Sequence, residues 1–296
     1  MPPRAPDLEL TEPAPERKLA AGLYVVATPI GNLGDITRRA SAILADADAV
    51  ICEDSRVTSV LLRHLHIRRP MLAYHEHNAE RMRPQLLERL AAGEALALVS
   101  DAGTPAISDP GFKLVREAVE KGIAVIPIPG PTALAAALVG AGLPTDRFFF
   151  QGFLPPRSAA RRTILAELAP IRATLVFYEA PQRVAEMLAD CAAVLGDRPA
   201  AVCRELTKLH EEFRRDRLQA LASALAEREP RGEIVVVVGP PEEGIAELDP
   251  SQLDAALVEA LETLRPRAAA ARVAEATGRP VNELYARAIA LKGHGA

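Results

Sequence analysis

Cysteine is scarce in this sequence and tryptophan is absent. The 296 residues hold three cysteines, at positions 52, 191 and 203. An odd number, widely spaced and flanked by apolar residues, argues against a disulfide framework or a cysteine-built zinc site. It predicts buried free thiols and a reducing, cytoplasmic compartment. An excess of one charge is lacking as well: 35 Lys+Arg stand against 39 Asp+Glu, a net charge of −4. A chain basic all over is thereby excluded, and any contact with nucleic acid has to come from local patches. There is no long apolar run, since the charge-free stretch 123–145 is broken by prolines and glycines, and that excludes a membrane span. The first 22 residues hold five prolines and mixed charges where a signal core would be apolar, the composition of a disordered tail. Three signatures are missing too. Without G-x-G-x-x-G or G-x-x-x-x-G-K-[ST], neither a dinucleotide fold nor a P-loop hydrolase is indicated. Without G-x-S-x-G, an α/β-hydrolase is not indicated either.

What is present is alternation. Short apolar runs at Leu23–Thr28, Ala49–Cys52, Met71–Tyr74, Ala95–Val99 and Ile123–Ile128 read as strands. Between them lie helical patterns at Ile36–Ala45, Val57–Leu65 and Ala79–Ala92. A further helix has Phe112, Val115 and Val119 marking one face, and Thr132–Ala141 is a small-residue helix. Strands alternating with such helices predict βαβ units and a mainly parallel sheet, ending near Pro144. The second half has strands at Arg147–Gln151, Thr174–Tyr178, Ala200–Leu206, around Phe213 and at Glu233–Val238, with helices ending at Leu168 and over Val184–Leu195 and Leu218–Arg228. Several of these strands lack a full helix between them, so this sheet is expected to be mixed. Pro240–Asp249 reads as a linker, and Ser251–Lys292 is helical in pattern throughout. The expected organisation is a tail over 1–22, α/β domains over 23–144 and 145–240, and a linker with helical appendage over 241–296.

Ligands of open α/β sheets bind beyond the carboxyl ends of the strands. Four glycine- and proline-bearing loops stand out: Thr28 to Asp35, Ser100 to Pro105, Ile107 to Gly111, and Pro129 to Ala133. Glycine lets backbone approach a ligand and proline fixes the turn. A ligand held mainly by backbone, with a carboxylate such as Asp101 and few bases, is zwitterionic or neutral and not a polyphosphate. The pairs His64/His66 and His75/His77 have no further ligand at a suitable spacing from both, so they read as polar loop residues and no metal is expected.

The run from Val25 to Ile36 (VVATPIGNLGDI) resembles the start of the small-subunit ribosomal RNA methyltransferases of the tetrapyrrole methylase superfamily. The likeness continues in order through Glu53-Asp54-Ser55-Arg56, Tyr74 to Asn78, Leu98 to Gly111, Pro129 to Ala133, Phe177 to Pro181, Arg204 to Lys208 and Gly232-Glu233. It implies two α/β domains with S-adenosylmethionine held in the cleft between them, 2′-O-methylation of a cytidine in the decoding region of 16S ribosomal RNA, and a homodimer. Carried over by position, Asp101, Ala102, Gly103 and Ile107 line the methionine end of the donor. Pro29, Thr132 and Ala133 lie against it, and Tyr178, Glu179, Leu206 and Gly232 approach from the second domain. Gln182 departs from the family, which often has His after Glu-Ala-Pro.

The acceptor hydroxyl is a weak nucleophile, so a base or hydrogen-bond acceptor beside it helps. Candidates are Glu53, Asp54, Glu76, His77, Glu179, Glu205 and Lys208, with Asp54, Glu205 and Lys208 foremost. For RNA, Arg157, Arg161 and Arg162 form a basic run, in which Arg157 and Arg161 (i, i+4) are expected opposite apolar Ile164, Leu165 and Leu168. The C-terminal piece is polarised, with seven acids and no base over 242–264, then six bases and two acids over 265–292. Its pattern of helix, turn and helix fits a grip on RNA, on the ribosomal subunit or on the main body. Rival readings are a methylase acting on a corrinoid and a non-catalytic RNA-binding assembly factor.

Overall fold

The computed structural model describes residues 19–107, 111–241, 250–277 and 279–293. Most of the expected tail and linker, and Ser108 to Pro110, lie outside them. The first half alternates β1 (Gly22–Val26), α1 (Arg38–Asp46), β2 (Ala49–Cys52), α2 (Ser55–His64), β3 (Met71–Ala73), α3 (Ala79–Ala91), β4 (Ala95–Leu98), α4 (Phe112–Glu120), β5 (Val125–Ile128) and α5 (Ala133–Ala141). The five strands form one sheet in the order β3-β2-β4-β1-β5, and every pair is parallel. The apolar runs of β2 and β4 are buried on both faces, as helix-covered parallel strands require. Tyr24, Val26, Val50, Cys52 and Ala97 face α1 and α2. Leu23, Ile51, Leu96 and Leu98 face α3 and α4.

The second half holds β6 (Phe148–Phe153), α6 (Ser158–Leu168), β7 (Thr174–Glu179), α7 (Val184–Leu195), β8 (Pro199–Arg204), β9 (Glu212–Arg217), α8 (Leu218–Glu227) and β10 (Ile234–Val238). Its sheet order is β6-β7-β10-β8-β9. Only β6 and β7 are parallel, so the sheet is mixed. One face packs on α6, α7 and α8. The other receives α5 from the first half, through Ala137, Leu138 and Ala141 against Val176, Ala201 and Val237. The small residues of α5 permit that approach: a Cβ at Gly140 would stand 2.4 Å from the Phe213 ring. This shared helix joins the two halves. Helices α9 (Pro250–Thr263), α10 (Pro266–Thr277) and α11 (Val281–Gly293) close a small core of their own around Leu253, Leu257, Val273 and Leu284.

Three expectations need correcting. Helix α4 buries Leu114 and Ala118 (i, i+4), and leaves Phe112 and Val119 mostly exposed. The helix carries two competing apolar stripes, and the one around Leu114 meets the sheet. Strand β6 runs on to Phe153, because a bulge between Phe150 and Gly152, with Gly152 at φ +74°, lets pairing resume. Strand β8 ends at Arg204, because Glu205 (φ +49°) and Thr207 (φ +65°) turn the chain out of extended geometry. All three cysteines are free and buried, and burial pushes the thiols of Cys191 and Cys203 up to about 12.

Candidate active site

Strands β4, β1 and β5 are adjacent, so the loops beyond their carboxyl ends meet. Thr28 and Gly103 exchange backbone hydrogen bonds of 2.9 and 3.1 Å. The Thr28 hydroxyl donates to Ser100 O (3.2 Å), and the Thr104 hydroxyl donates to Pro131 O (3.2 Å). Gly103 sits at φ +82°, and a Cβ there would meet Ile30 at 3.3 Å and the Pro131 carbonyl oxygen at 3.7 Å. The second sheet brings the end of β7, the turn after β8 and the start of β10 against these loops.

Between the two halves lies a cavity of ≈ 390 Å³. Ala102, Gly103, Ile107, Thr132 and Ala133 line it from the first half, and Tyr178, Glu179, Leu206 and Gly232 from the second. An adjoining cavity of ≈ 340 Å³ takes Pro29, Asp101 and Lys208 in its wall. The two share Ile30, Ala102 and Glu233. Sequence reasoning had not put Phe153, Ala180, Pro181 or Glu233 in the wall. The Glu-Ala-Pro and Gly-Glu motifs contain three of them. Phe153 had no such signal, because it reaches the cavity only through the bulge in β6.

Among the described residues the main cavity is lined by two carboxylates, Glu179 and Glu233, and by no Lys or Arg. Glu179 is 3% exposed. It accepts from Ala180 N–H at 2.8 Å and from Arg183 at 3.2 Å. Burial raises its pKa above the ordinary 4.5 despite those bonds. Tyr178 is also raised by burial, and its ring packs edge-on against Phe150 and Phe153, with centroids 4.9 and 5.7 Å away.

The Glu205–Lys208 pair stands where the two halves touch. Lys208 Nζ donates to Glu205 Oε1 at 2.9 Å and to Glu233 Oε2 at 3.0 Å. Glu205 Oε1 also accepts from Glu233 N–H at 2.9 Å. Burial opposes the charge on Lys208, but its bonds to Glu205 and Glu233 outweigh that and raise its pKa. Glu205 is lowered, first by the Glu233 N–H and then by Lys208. Two glycines clear space for the pair. A Cβ at Gly31 would lie 2.4 Å from Lys208 Cγ, and one at Gly232 (φ +92°) would lie 2.3 Å from Glu205 Oε1.

Asp54 stands apart from this pair and lines neither cavity. Its carboxylate caps α2, accepting from Arg56 N–H at 2.8 Å and from Arg56 Nε at 3.0 Å. The Arg56 side chain, then its backbone N–H, holds Asp54 at about 2. Asp54 reaches the site through its backbone, whose N–H donates to Asp101 Oδ1 at 3.0 Å.

The basic run also divides. Arg157 and Arg162 are exposed, whereas Arg161 is 1% exposed. Arg161 Nε donates to Asp190 Oδ2 on α7 at 2.6 Å, and Arg162 Nε reaches Asp190 Oδ1 at 2.6 Å. The expected RNA-facing side of α6 is thus corrected for Arg161: it shares a face with Leu165 and Leu168 (i+4, i+7), because a buried carboxylate awaits it there. The His75 and His77 rings lie 6.0 Å apart. Among the described residues no three potential ligands gather around a metal position, and no helix is long and apolar enough to cross a membrane.

Residues 22–222 match the family Tetrapyrrole (Corrin/Porphyrin) Methylases, and residues 247–292 match the RsmI C-terminal HTH domain. The chain is 50% identical to the "Ribosomal RNA small subunit methyltransferase I" of Mesorhizobium japonicum over 94% of this chain and 95% of that protein. It is 48% identical to the protein of the same name in Xylella fastidiosa, over 89% and 97%. Among solved structures it is similar to a cobalt precorrin-4 methyltransferase (TM-score 0.56, 20% identity, 73% of this chain and 94% of that one). It is also similar to a uroporphyrin-III C-methyltransferase of Thermus thermophilus complexed with S-adenyl homocysteine (TM-score 0.53, 21% identity, 74% and 97%).

Proposed function

The chain belongs to the tetrapyrrole methylase family, and from that premise we propose that it methylates the 2′-hydroxyl of a cytidine ribose in the decoding region of 16S ribosomal RNA, with S-adenosylmethionine as donor. The observation that carries the donor assignment is the lining of the main cavity. Two carboxylates and no base suit a sulfonium cation and repel a polyphosphate. Its volume of ≈ 390 Å³ falls within the range of about 300–1,000 Å³ usual for small-molecule sites. The acceptor assignment is supported by near full-length relatives named for small-subunit ribosomal RNA and by the C-terminal match.

Bound there, S-adenosylmethionine supplies an activated methyl whose C–S bond breaks as the C–O bond to the ribose forms. The chain's part is to hold and orient. Gly103 and Gly232 bring backbone close to the donor, with Ala102, Ile107, Thr132, Ala133, Tyr178, Glu179 and Leu206 around it and Pro29 and Asp101 on the adjoining side. The acceptor enters the second cavity, and the two reactants meet at the shared wall of Ile30, Ala102 and Glu233. Orientation of this kind is worth about 7–11 kcal/mol of barrier.

Asp54, Glu205 and Lys208 are poor bases as they stand: one is strongly acidic, one is lowered and one holds its proton. We therefore read all three as positioning residues. Lys208 presents a cation to the acceptor, Glu205 fixes Lys208, and Asp54 fixes Asp101. The ribose proton leaves to water or to the Glu233 carboxylate. We place the domain division at 144 and 240; the cores of the two halves and of α9–α11 support it, with α5 as the element shared across the first boundary. The assembled small subunit is the wider partner, and Arg157 and Arg162 are exposed bases of α6 and its N-cap offered to it. Homodimer formation is supported by exposed Phe148 and Phe149 on β6, an edge strand.

The test is transfer of a tritiated methyl group into 16S ribosomal RNA, with the product ribose mapped by mass spectrometry. Wild type should label one cytidine and Asp101→Ala should not. Labelling of a corrinoid in place of RNA, or donor binding with no transfer, would overturn the reading.

A further inference from the structure

Helix α2 links the second cavity to a feature that the reading above leaves unused. Its first turns supply Val57, Thr58, Val60 and Leu61 to the wall of that cavity. Its last turn opens onto a separate concavity of ≈ 650 Å³, lined by Ser59, Arg63, His66, Arg68, Arg69 and Met71 among others, with no carboxylate in the wall. From residue 55 to residue 75 the sequence holds four arginines, three histidines and no acid.

The turn that follows the helix brings four of these side chains, Arg63, His66, Arg68 and Arg69, to the concavity. His66 N–H donates to Arg63 O at 3.1 Å and Ile67 N–H donates to Leu62 O at 2.8 Å. This is the Schellman pattern, in which the residue held here by His66 is usually glycine. His66 takes φ +58°, a conformation L side chains rarely adopt. The chain therefore folds back over the helix end, and Arg63 and Arg68 both line the concavity. Arg69 is anchored, its Nε donating to Ala45 O at 2.6 Å. Arg63 and Arg68 pair with no carboxylate among the described residues, whereas Arg83, Arg89, Arg161, Arg204 and Arg287 each do. Favourable placement at a helix C-terminus accounts for Arg63 and His64. It does not account for Arg68, which lies beyond the helix. Like charges held together without a counter-charge call for an anion from outside.

We infer that this concavity is a phosphate-binding site which seats the RNA backbone a short way from the modified ribose. The inference rests on the reading that the acceptor is RNA. The ten residues of α2 span about 15 Å. A strand with its ribose in the second cavity can run along the exposed Val57 and Val60 and place a neighbouring phosphate between Arg63 and Arg68.

The experiment compares wild type with Arg63→Glu/Arg68→Glu and Arg63→Lys/Arg68→Lys, leaving Arg69 intact. A labelled single-stranded RNA of the decoding region is titrated at several salt concentrations, and methyl transfer is measured on 16S RNA and on assembled subunits. The Glu variant should raise the RNA KM about tenfold or more while kcat, donor affinity and melting temperature stay put. With about 0.7 of slope per phosphate contact on a single strand, loss of this one contact should flatten the salt dependence of binding by about 0.7. The Lys variant should retain most of the affinity. An unchanged KM and slope would overturn the inference. Weakening on assembled subunits alone, with naked RNA bound normally, would assign the concavity to an acidic protein surface and overturn it as well. If wild type transfers no methyl to RNA, the proposed function falls, and the binding slope still decides the concavity separately.

Discussion

Truncating Arg161 should damage stability and leave RNA binding alone. The Arg161 guanidinium is buried between α6 and α7, with Nε on Asp190 Oδ2 at 2.6 Å and Nη1 donating to Pro156 O at 3.3 Å. In Arg161→Ala, Arg162 and the Ser158 hydroxyl still hold Asp190 Oδ1, but Oδ2 loses its donor. Removing one partner of a buried pair costs about 3–5 kcal/mol. The two surviving contacts put this case near the lower end. At 2–4 °C per kcal/mol for a unit of this size, the melting temperature should drop by about 6–12 °C. Arg161→Lys, which keeps the charge but loses the fork, should cost roughly half as much. Arg161→Met/Asp190→Leu should recover most of the loss, since apolar replacement of a buried pair is often neutral. The pH dependence follows from Asp190. Burial works to raise its pKa, but hydrogen bonds from Arg162, Arg161 and Ser158 outweigh that and hold it below the ordinary 3.8. A depressed carboxylate contributes stability that is present above pH 3.8 and lost as pH falls through the folded value. The Ala variant should therefore have a flatter acid limb. Calorimetric melts between pH 3 and 7, beside RNA titrations at several salts, make the measurement. A melting temperature within a degree of wild type, together with a shallower RNA salt slope, would refute the structural role argued for Arg161.

Two further outcomes are expected. Gly232→Ala forces a side chain into a left-handed conformation, at about 1–2 kcal/mol, and drives its methyl onto a Glu205 carboxylate pinned from two sides; donor affinity measured by calorimetry should weaken about tenfold, and a change within twofold would contradict the placement. Because burial raises Glu179, its folded form binds a proton more tightly than the unfolded chain, so its contribution to stability falls as pH rises from 4.5 through the raised value. Over the same window the carboxylate becomes available to a cation, so donor affinity should increase with pH in wild type and lose that dependence in Glu179→Gln.

The strands of the first sheet were legible because each is a short apolar run bounded by polar or turn-forming residues, as in Ala49–Cys52 between Asp48 and Glu53. The loops of the main cavity were legible for a related reason: chemistry placed beyond strand ends needs turn residues, and those stand out locally. What escaped depends on partners distant in sequence. Arg161 reads as a surface base until Asp190, 29 positions on, meets it at 2.6 Å. The buried face of α4 is set by which stripe fits the sheet, and both stripes are apolar. Gly140 lies within the last turns of α5 and makes room for Phe213 on β9, a partner 73 positions on. Glu205 and Thr207 could not be seen to break a strand, because left-handed geometry in such residues is imposed by the surrounding contacts.

The charges of the cleft are sorted by the partner each region would meet. Where the donor would sit there are carboxylates and no bases. At the shared boundary a single ammonium, Lys208, is held by carboxylates on two sides. Beyond it, at the far end of α2, Arg63 and Arg68 stand without a carboxylate partner among the described residues. Lys208 belongs to the second half, yet its stem lies on Gly31 of the first, so the cation is in place only while α5 keeps the halves together. The residues that shape the donor cavity likewise come from both halves. Neither half alone can therefore hold a donor or offer Lys208 to an acceptor, and the packing of one alanine-rich helix against the second sheet is a condition for the chemistry as well as for the fold.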